Sequence, residues 1–217
     1  MFVGLKMLRN FVTVTPKTSV LEAQKLLEQS RLGMLLVVEG GKILGYVRPE
    51  DLSASLPSIM TSLDKHEIKY LMTRLTVDKI IRKDIKTIMP EVEIEAAADM
   101  MSENNLAGLA VVNHQGSLIG YINRSVMLDV LVEEMGHREG GARITLEATD
   151  RPGVLFEVAG IIAGMGLSII STGTFFHDGK RIVVVRVDTR DASPIAAALQ
   201  EHGYKVVGPM DFMHEWH

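Results

Sequence analysis

Residues 13–52, TVTPKTSVLEAQKLLEQSRLGMLLVVEGGKILGYVRPEDL, return in altered form as residues 87–127, TIMPEVEIEAAADMMSENNLAGLAVVNHQGSLIGYINRSVM. Pro16 falls on Pro90, Ala23 on Ala97 and Val37-Val38 on Val111-Val112 at an offset of 74, whereas Gly45-Tyr46 falls on Gly120-Tyr121 at 75. The extra residue of the second copy belongs in a turn, Glu39-Gly40-Gly41-Lys42 in the first copy and Asn113-His114-Gln115-Gly116 in the second, because a hairpin loop tolerates an insertion that a strand does not. A repeated unit usually cannot bury its apolar face alone. Two copies therefore imply two halves packed on each other with a cleft between them.

Within the first copy, Phe11 to Thr15 alternates apolar and hydroxyl residues and suits a short strand ending at Pro16. Ser19, with Glu22 at capping-box spacing, opens a helix whose Val20, Ala23, Leu26 and Leu27 share one face, and the helix stops near Gly33. Met34 to Val38 and Ile43 to Val47 are continuous apolar runs and read as strands buried on both faces. Pro49 suits the first position of a short helix, with Glu50 and Asp51 in its electropositive first turn. The unit is strand, helix, strand, strand, helix.

Between the copies, Ser58 to Lys83 carries Ile68, Leu71, Met72 and Leu75 at helical spacing, which predicts a connecting helix packed on the repeats. A polar, Gly-rich break, EEMGHREGG at Glu133 to Gly141, then separates a different unit. Ala142 to Thr149 alternates as a strand, Asp150 to Gly153 turns, and Val154 to Met165 is a helix with small residues on its faces. Leu167 to Phe176 and Arg181 to Asp188 are strands flanking an Asp178-Gly179 turn; Ser193-Pro194 opens a helix, and Tyr204 to Met210 is a last strand. The order βαββαβ is that of a ferredoxin-like split sandwich. The fold class is α/β in the sense of α+β, with boundaries at 1–57, 58–76, 77–135 and 142–217.

The bulk composition narrows the functions. The chain has 217 residues with 47% hydrophobic content, enough for real cores, and a net charge of −4 gives no basic footprint for nucleic acid. There is no cysteine, which excludes disulfides and Cys-based metal or nucleophile sites. The leading MFVGLKMLRNFVTV has no long apolar core of a signal peptide, and no apolar run approaches the ~18 residues of a membrane span. A cytoplasmic protein acting away from membranes is expected. No catalytic constellation is found: the histidines are scattered, His214 and His217 lack a carboxylate or Cys cluster that would make them a metal site, and the Gly160 to Gly166 run lacks the Lys and Ser or Thr of a P-loop. Neither an enzyme nor a resident cofactor is expected.

Two family resemblances rest on these residues. The repeat resembles a pair of CBS domains (a Bateman module), through Val14-Thr15-Pro16 ahead of the first helix and Gly45-Tyr46-Val47-Arg48-Pro49-Glu50-Asp51 after the apolar strand. The last unit resembles an ACT domain, through the turn Asp150 to Leu155. A CBS pair followed by an ACT domain is similar to the acetoin-utilisation B family, regulatory proteins without known catalytic chemistry.

The CBS resemblance implies a regulatory adenosyl ligand, AMP, ADP, ATP or S-adenosylmethionine, in the cleft. An Asp at a helix N-terminus would accept both ribose hydroxyls, apolar strand residues would sandwich the adenine, and helix ends or basic residues would meet the phosphates. Carried over, one site uses Asp51, Arg48 and Tyr46 with Lys83, Leu106 and Ala107. The related site uses Tyr121 and Asn123 with Arg9, Leu32 and Gly33. Val126 stands where the second ribose Asp would be and cannot accept a hydroxyl proton, so one nucleotide per chain is expected, at Asp51. Read from the residues alone, Asp51 could simply favour a helix start, Arg48 could reach a phosphate or pair with Glu50 or Asp51, and both tyrosines could be core. The ACT resemblance implies a small effector at Asp150, Gly153, Val154, Ser168 and Ile169, or a role in forming a homodimer. Ala148 and Ser168 stand where amino-acid-binding relatives often carry His and Asn, which weakens polar capture of an amino acid. A regulated protein partner follows from the same resemblance; the alternative is an oligomerisation scaffold without a ligand.

Overall fold

The computed structural model describes residues 1–30, 32–55 and 74–216. Each copy of the repeat builds a three-stranded mixed sheet in the same way. After a short leading helix α1 (Val3–Lys6), the first copy runs β1 (Thr13–Val14), α2 (Val20–Ser30), β2 (Leu35–Glu39), β3 (Lys42–Val47) and α3 (Pro49–Ser55). The second runs β4 (Thr87–Ile88), α4 (Ile94–Glu103), β5 (Gly108–Val112), β6 (Leu118–Asn123) and α5 (Arg124–Glu134). In both, the short first strand pairs in parallel with the second, which pairs antiparallel with the third. Both hairpins shift register at the same repeat position, Val37/Val38 and Val111/Val112. The inserted residue does sit in the second turn, where the Asn113 carboxamide oxygen accepts from the amides of Gln115 (3.0 Å) and Ser117 (2.9 Å).

Local chemistry sets these boundaries. The Ser19 hydroxyl accepts from the Glu22 amide at 3.2 Å and opens α2, which buries Val20, Ala23 and Leu27. The strand expected over Phe11 to Thr15 pairs only at Thr13 and Val14. The connecting helix expected over 58–83 lies for the most part outside the described residues. Of its end, the Leu75 carbonyl accepts from Val20 at 2.8 Å, and Val77 is fully buried.

The halves share a core. Ala110 and Tyr121 of the second copy lie in one cluster with Leu32, Leu35, Val37, Tyr46 and Leu52 of the first. They also exchange backbone. Tyr46 in β3 and Arg82 in the segment leading into the second copy donate to each other's carbonyls at 2.9 Å, while Leu8 and Tyr121 do the same at 2.7 and 2.9 Å. This crossing explains the Gly-Tyr pair in each copy. A Cβ on Gly45 would lie 2.0 Å from the Arg82 carbonyl oxygen, and one on Gly120 would lie 2.4 Å from Met7 Sδ.

The chain divides into two compact units, Met1–Leu128 and Asp129–His217. The second holds β7 (Ala142–Ala148), α6 (Val154–Gly164), β8 (Ile169–His177), β9 (Lys180–Val187), α7 (Ser193–Glu201) and β10 (Lys205–Val206). Its antiparallel sheet has the order β10-β7-β9-β8, as βαββαβ requires. Ile144, Leu146, Val183 and Val185 meet Val158, Ile162, Ile195 and Leu199 of the helices in one core. The last strand is shorter than expected: it spans Lys205 and Val206, the Val207 amide still donates to the Thr145 carbonyl of β7 at 2.9 Å, and Pro209 then opens a 3₁₀ turn over Pro209–Glu215. No helix among the described residues is long and apolar enough to cross a membrane.

Candidate functional site

Asp51 is placed by the start of α3. Its carboxylate accepts the Arg48 backbone amide at 3.1 Å, capping the helix from inside its first turn. The same carboxylate is gripped by Arg82, whose Nε lies 2.9 and 2.8 Å from the two oxygens and whose Nη2 lies 2.7 Å from Oδ1. Only 12% of the Asp51 side chain is exposed. Burial pushes its carboxyl up, but the hydrogen bonds from Arg82 and Arg48 outweigh burial and hold it below the usual carboxylate range. Asp51 is therefore an anion positioned at a helix N-terminus and already engaged.

Arg48 makes the ionic contacts that sequence reasoning left open. Nη1 lies 3.0 Å from Glu50 Oε1 and Nε lies 3.4 Å from Asp51 Oδ2. Tyr46 is 5% exposed, and burial together with the Asp84 carboxylate pushes its phenol up. Tyr46 is thus a wall of the core beside the Asp51 cluster.

In the second set of expected residues, Tyr121 and Asn123 are engaged by the chain itself. Tyr121, 1% exposed, donates its hydroxyl to the Leu32 carbonyl at 2.9 Å, and burial pushes its phenol up. Asn123 reaches the same carbonyl at 3.5 Å, and its side-chain oxygen accepts the Val126 amide at 3.0 Å. Arg9 is exposed.

Between the halves lies a crevice of about 310 Å³. Its lining takes Arg48 and Ala107 from the first expected set and Leu32, Gly33 and Asn123 from the second, so the structure merges parts of both into one cavity. Gly33 and Ala107 face each other across it, with only 3.1 Å between the Ala107 Cβ and a Cβ built on Gly33. Both helix starts, Pro49-Glu50 and Arg124-Ser125, border it as well. Arg124 is held by the Leu106 carbonyl (2.9 Å) and the Asn105 side chain (2.8 Å). Two helix N-termini and two guanidinium groups around one crevice favour an anion.

Sequence reasoning named Lys83 and missed Arg82. Side chains alternate along an extended segment, so only one of two neighbouring basic residues can face Asp51. The bridge to Tyr46 selects Arg82, and Lys83 is exposed. Arg82 occupies the repeat position of Leu8, at the offset of 74, and that alignment was the available signal.

In the second unit, Asp150 accepts from Arg181 Nε (3.0 Å) and Nη2 (2.9 Å), while Gly153 caps α6 in the left-handed region. Asp150, Gly153 and Val154 border a cavity of about 440 Å³ together with Arg181. Ser168 and Ile169 are not brought there. Ile169 pairs with Val187, as Ala142 does at the far end of β7, whereas Ala148 beside the turn pairs with Arg181. Within one chain they sit a strand's length away. Close by, Arg151 and Tyr204 bind Glu157 at 2.6–2.7 Å and hold its carboxyl down at about 2. Among the described residues no group of His, Asp and Glu could hold a metal ion.

Comparison with known proteins agrees with this architecture. The CBS domain model matches residues 3–58 and 77–133, just over half of the chain, and the TTHA0829-like ACT domain model matches residues 140–208. The protein MJ1232 of Methanocaldococcus jannaschii is 24% identical over 55% of this chain and 36% of its own length. The inosine-5'-monophosphate dehydrogenase of Korarchaeum cryptofilum is 29% identical over 53% of this chain and 21% of its own length. The chain thus spans about a third and about a fifth of these relatives. The fold is shared with a crystal structure from Vibrio cholerae assigned to acetoin utilization (AcuB), at TM-score 0.53 and 20% identity, covering 65% of this chain and 98% of that one. The chain belongs to the CBS-domain family, as a tandem CBS pair followed by a TTHA0829-like ACT domain.

Proposed function

We propose that this protein is a regulatory sensor whose CBS pair binds an adenosyl ligand, AMP, ADP, ATP or S-adenosylmethionine, in the crevice between the copies. The observation that carries this reading is the Asp51 carboxylate, 12% exposed in the first turn of α3, whose preceding residues Arg48, Pro49 and Glu50 border the crevice together with Arg124. A carboxylate kept ionised there accepts hydrogen bonds from both hydroxyls of a ribose, while Arg48, Arg82 and the helix starts meet phosphate charge. Since Arg82 already holds Asp51, the sugar exchanges for the guanidinium, and the freed Arg82 turns to the phosphate. Tyr46, Leu106 and Ala107 form apolar wall on this reading, and Lys83 adds long-range attraction. The related set, Tyr121 and Asn123 with Arg9, Leu32 and Gly33, takes no second nucleotide on this reading: Leu32, Gly33 and Asn123 border the same crevice, and Val126 stands where its ribose carboxylate would be.

Binding becomes regulation when the ligand prefers one arrangement of the copies over another. The ACT domain serves dimerisation or takes a small effector near Asp150, Gly153 and Val154. Dimerisation is supported by the exposed Leu155 and Phe156 of α6 and by the exposed edge strand β8. We place the homodimer in the cytoplasm, acting on a protein target, with acetoin utilisation as the process the architecture suggests. The alternative is a ligand-free interaction scaffold.

A thermal-shift screen of the purified protein with ATP, ADP, AMP and S-adenosylmethionine separates the two. A sensor gains about 2.7 kcal/mol at a ligand concentration a hundred times Kd, whereas a scaffold melts unchanged with every adenosyl compound.

A further inference from the structure

The ACT sheet buries one face under α6 and α7, and its other face carries Arg143 and Thr145 of β7, Ile182 of β9 and Phe175 of β8. Here the chain extends beyond the ACT match, which ends at residue 208. The Pro209–Glu215 turn and Trp216 lie against this face, tied to β8 by His177 Nε2 and Glu215 Oε2 at 2.8 Å and by the near-perpendicular packing of the Phe212 and His177 rings, 5.4 Å between centroids. Between sheet and tail is a cavity of about 500 Å³, within the roughly 300–1,000 Å³ of small-ligand sites. Its floor is Ile182 and Val207, and its aromatic walls are Phe175, Phe212 and Trp216.

The charges on this face do not balance around the cavity. Glu147 is neutralised twice, by Lys180 and Lys205 at 2.9 Å each, and Glu215 is paired with His177. Arg186 is spent on the carbonyls of Met135, Gly140 and Gly141 at 3.0–3.2 Å. Arg143 stands directly opposite Arg186 in the ladder, and like charges so placed repel. Among the described residues its guanidinium has no hydrogen-bond or ion-pair partner, although it lines the cavity. A cation without a counter-charge beside an aromatic, apolar chamber is built to receive a carboxylate with an apolar body.

We propose that the cavity between the free face of the ACT sheet and the C-terminal tail is a binding site for a small aryl monocarboxylate, its carboxylate on Arg143 and its ring among Phe175, Phe212 and Trp216. The site is separate from the Asp150 turn and rests on nothing at Asp51. Trp216 is the chain's single tryptophan, so its emission reads the site directly. Benzoate, phenylacetate and 3-phenylpropionate are titrated into the full chain, with 3-phenylpropionamide as the uncharged control. A saturable change in Trp216 emission is expected for at least one acid, weakened at least tenfold for the amide and in Arg143→Gln. Arg143 is exposed and opposes Arg186, so that variant should melt at or slightly above the wild-type temperature. No saturable change with any acid overturns the site, and equal binding of the amide or by Arg143→Gln overturns the carboxylate assignment.

Discussion

The two CBS copies start their last helix from opposite halves of one device. In the second copy the residue before the helix, Asn123, uses its side chain to accept the Val126 amide at 3.0 Å. In the first copy the residue before the helix, Arg48, offers its backbone amide to the side chain of Asp51 at 3.1 Å. Both arrangements satisfy one orphan amide of a helix start. Their consequences differ, because the first requires a carboxylate inside the helix and the second does not. The position filled by Asp51 in one copy carries Val126 in the other, where Asn123 supplies the cap. The partner changed with it: Arg82 faces Asp51, while the matching position carries Leu8. A repeat with matching strand pairings thus holds an ion cluster at Asp51 in one copy and an uncharged residue, Val126, at the same position in the other.

Breaking the crossings between copies should cost most. Gly45→Ala drives a Cβ into the backbone oxygen of Arg82 at 2.0 Å, and we expect a loss of about 3 kcal/mol by urea denaturation. Gly120→Ala meets the flexible Met7 side chain instead and should cost about 1 kcal/mol. Equal losses would mean that the two crossings are mechanically alike. Asn123→Ala removes the second cap and should cost about 0.5–2 kcal/mol by urea denaturation.

Acid separates the copies by charge. Because Asp51 titrates lower in the fold than in the unfolded chain, its contribution is complete above the unfolded carboxylate value of about 3.9 and fades as pH falls through the lower folded value. Urea melts of wild type and Asp51→Asn should therefore converge toward about pH 3, and a gap that persists undiminished would contradict the ionised pair. Val126→Asp should have the smallest effect, a gain of about 0.3–1 kcal/mol from an acid in the first helical turn, and calorimetry should find no second ligand, since Leu8 stands at the repeat position of Arg82.

Much of this was legible in the chain. The offset of 74 against 75 placed the insertion in the second hairpin turn, and Ser19, Pro49 and the Asp150 to Gly153 turn each mark a boundary that the structure keeps. These signals are local, carried by hydrogen bonds and fixed φ angles within a few residues. What escaped depends on contacts distant in sequence. Arg82 meets Asp51 across 31 residues, and Tyr121 spends its hydroxyl on Leu32 across 89. No periodicity encodes which of Arg82 and Lys83 turns inward until the bridge to Tyr46 is known. Tyr204 to Met210 read as strand from its apolar residues, but Pro209 cannot donate to a ladder, and the tail turned over the sheet.

Asp51 as the ribose acceptor is the centre of the account. Calorimetric titration of AMP, ATP and S-adenosylmethionine into wild type and Asp51→Ala tests it most directly. Binding of at least one ligand near one per chain is predicted for wild type, with affinity reduced at least about tenfold in the variant, as expected when hydrogen bonds to a charged group worth about 1.5–3 kcal/mol are lost. The same affinity in both proteins would contradict it.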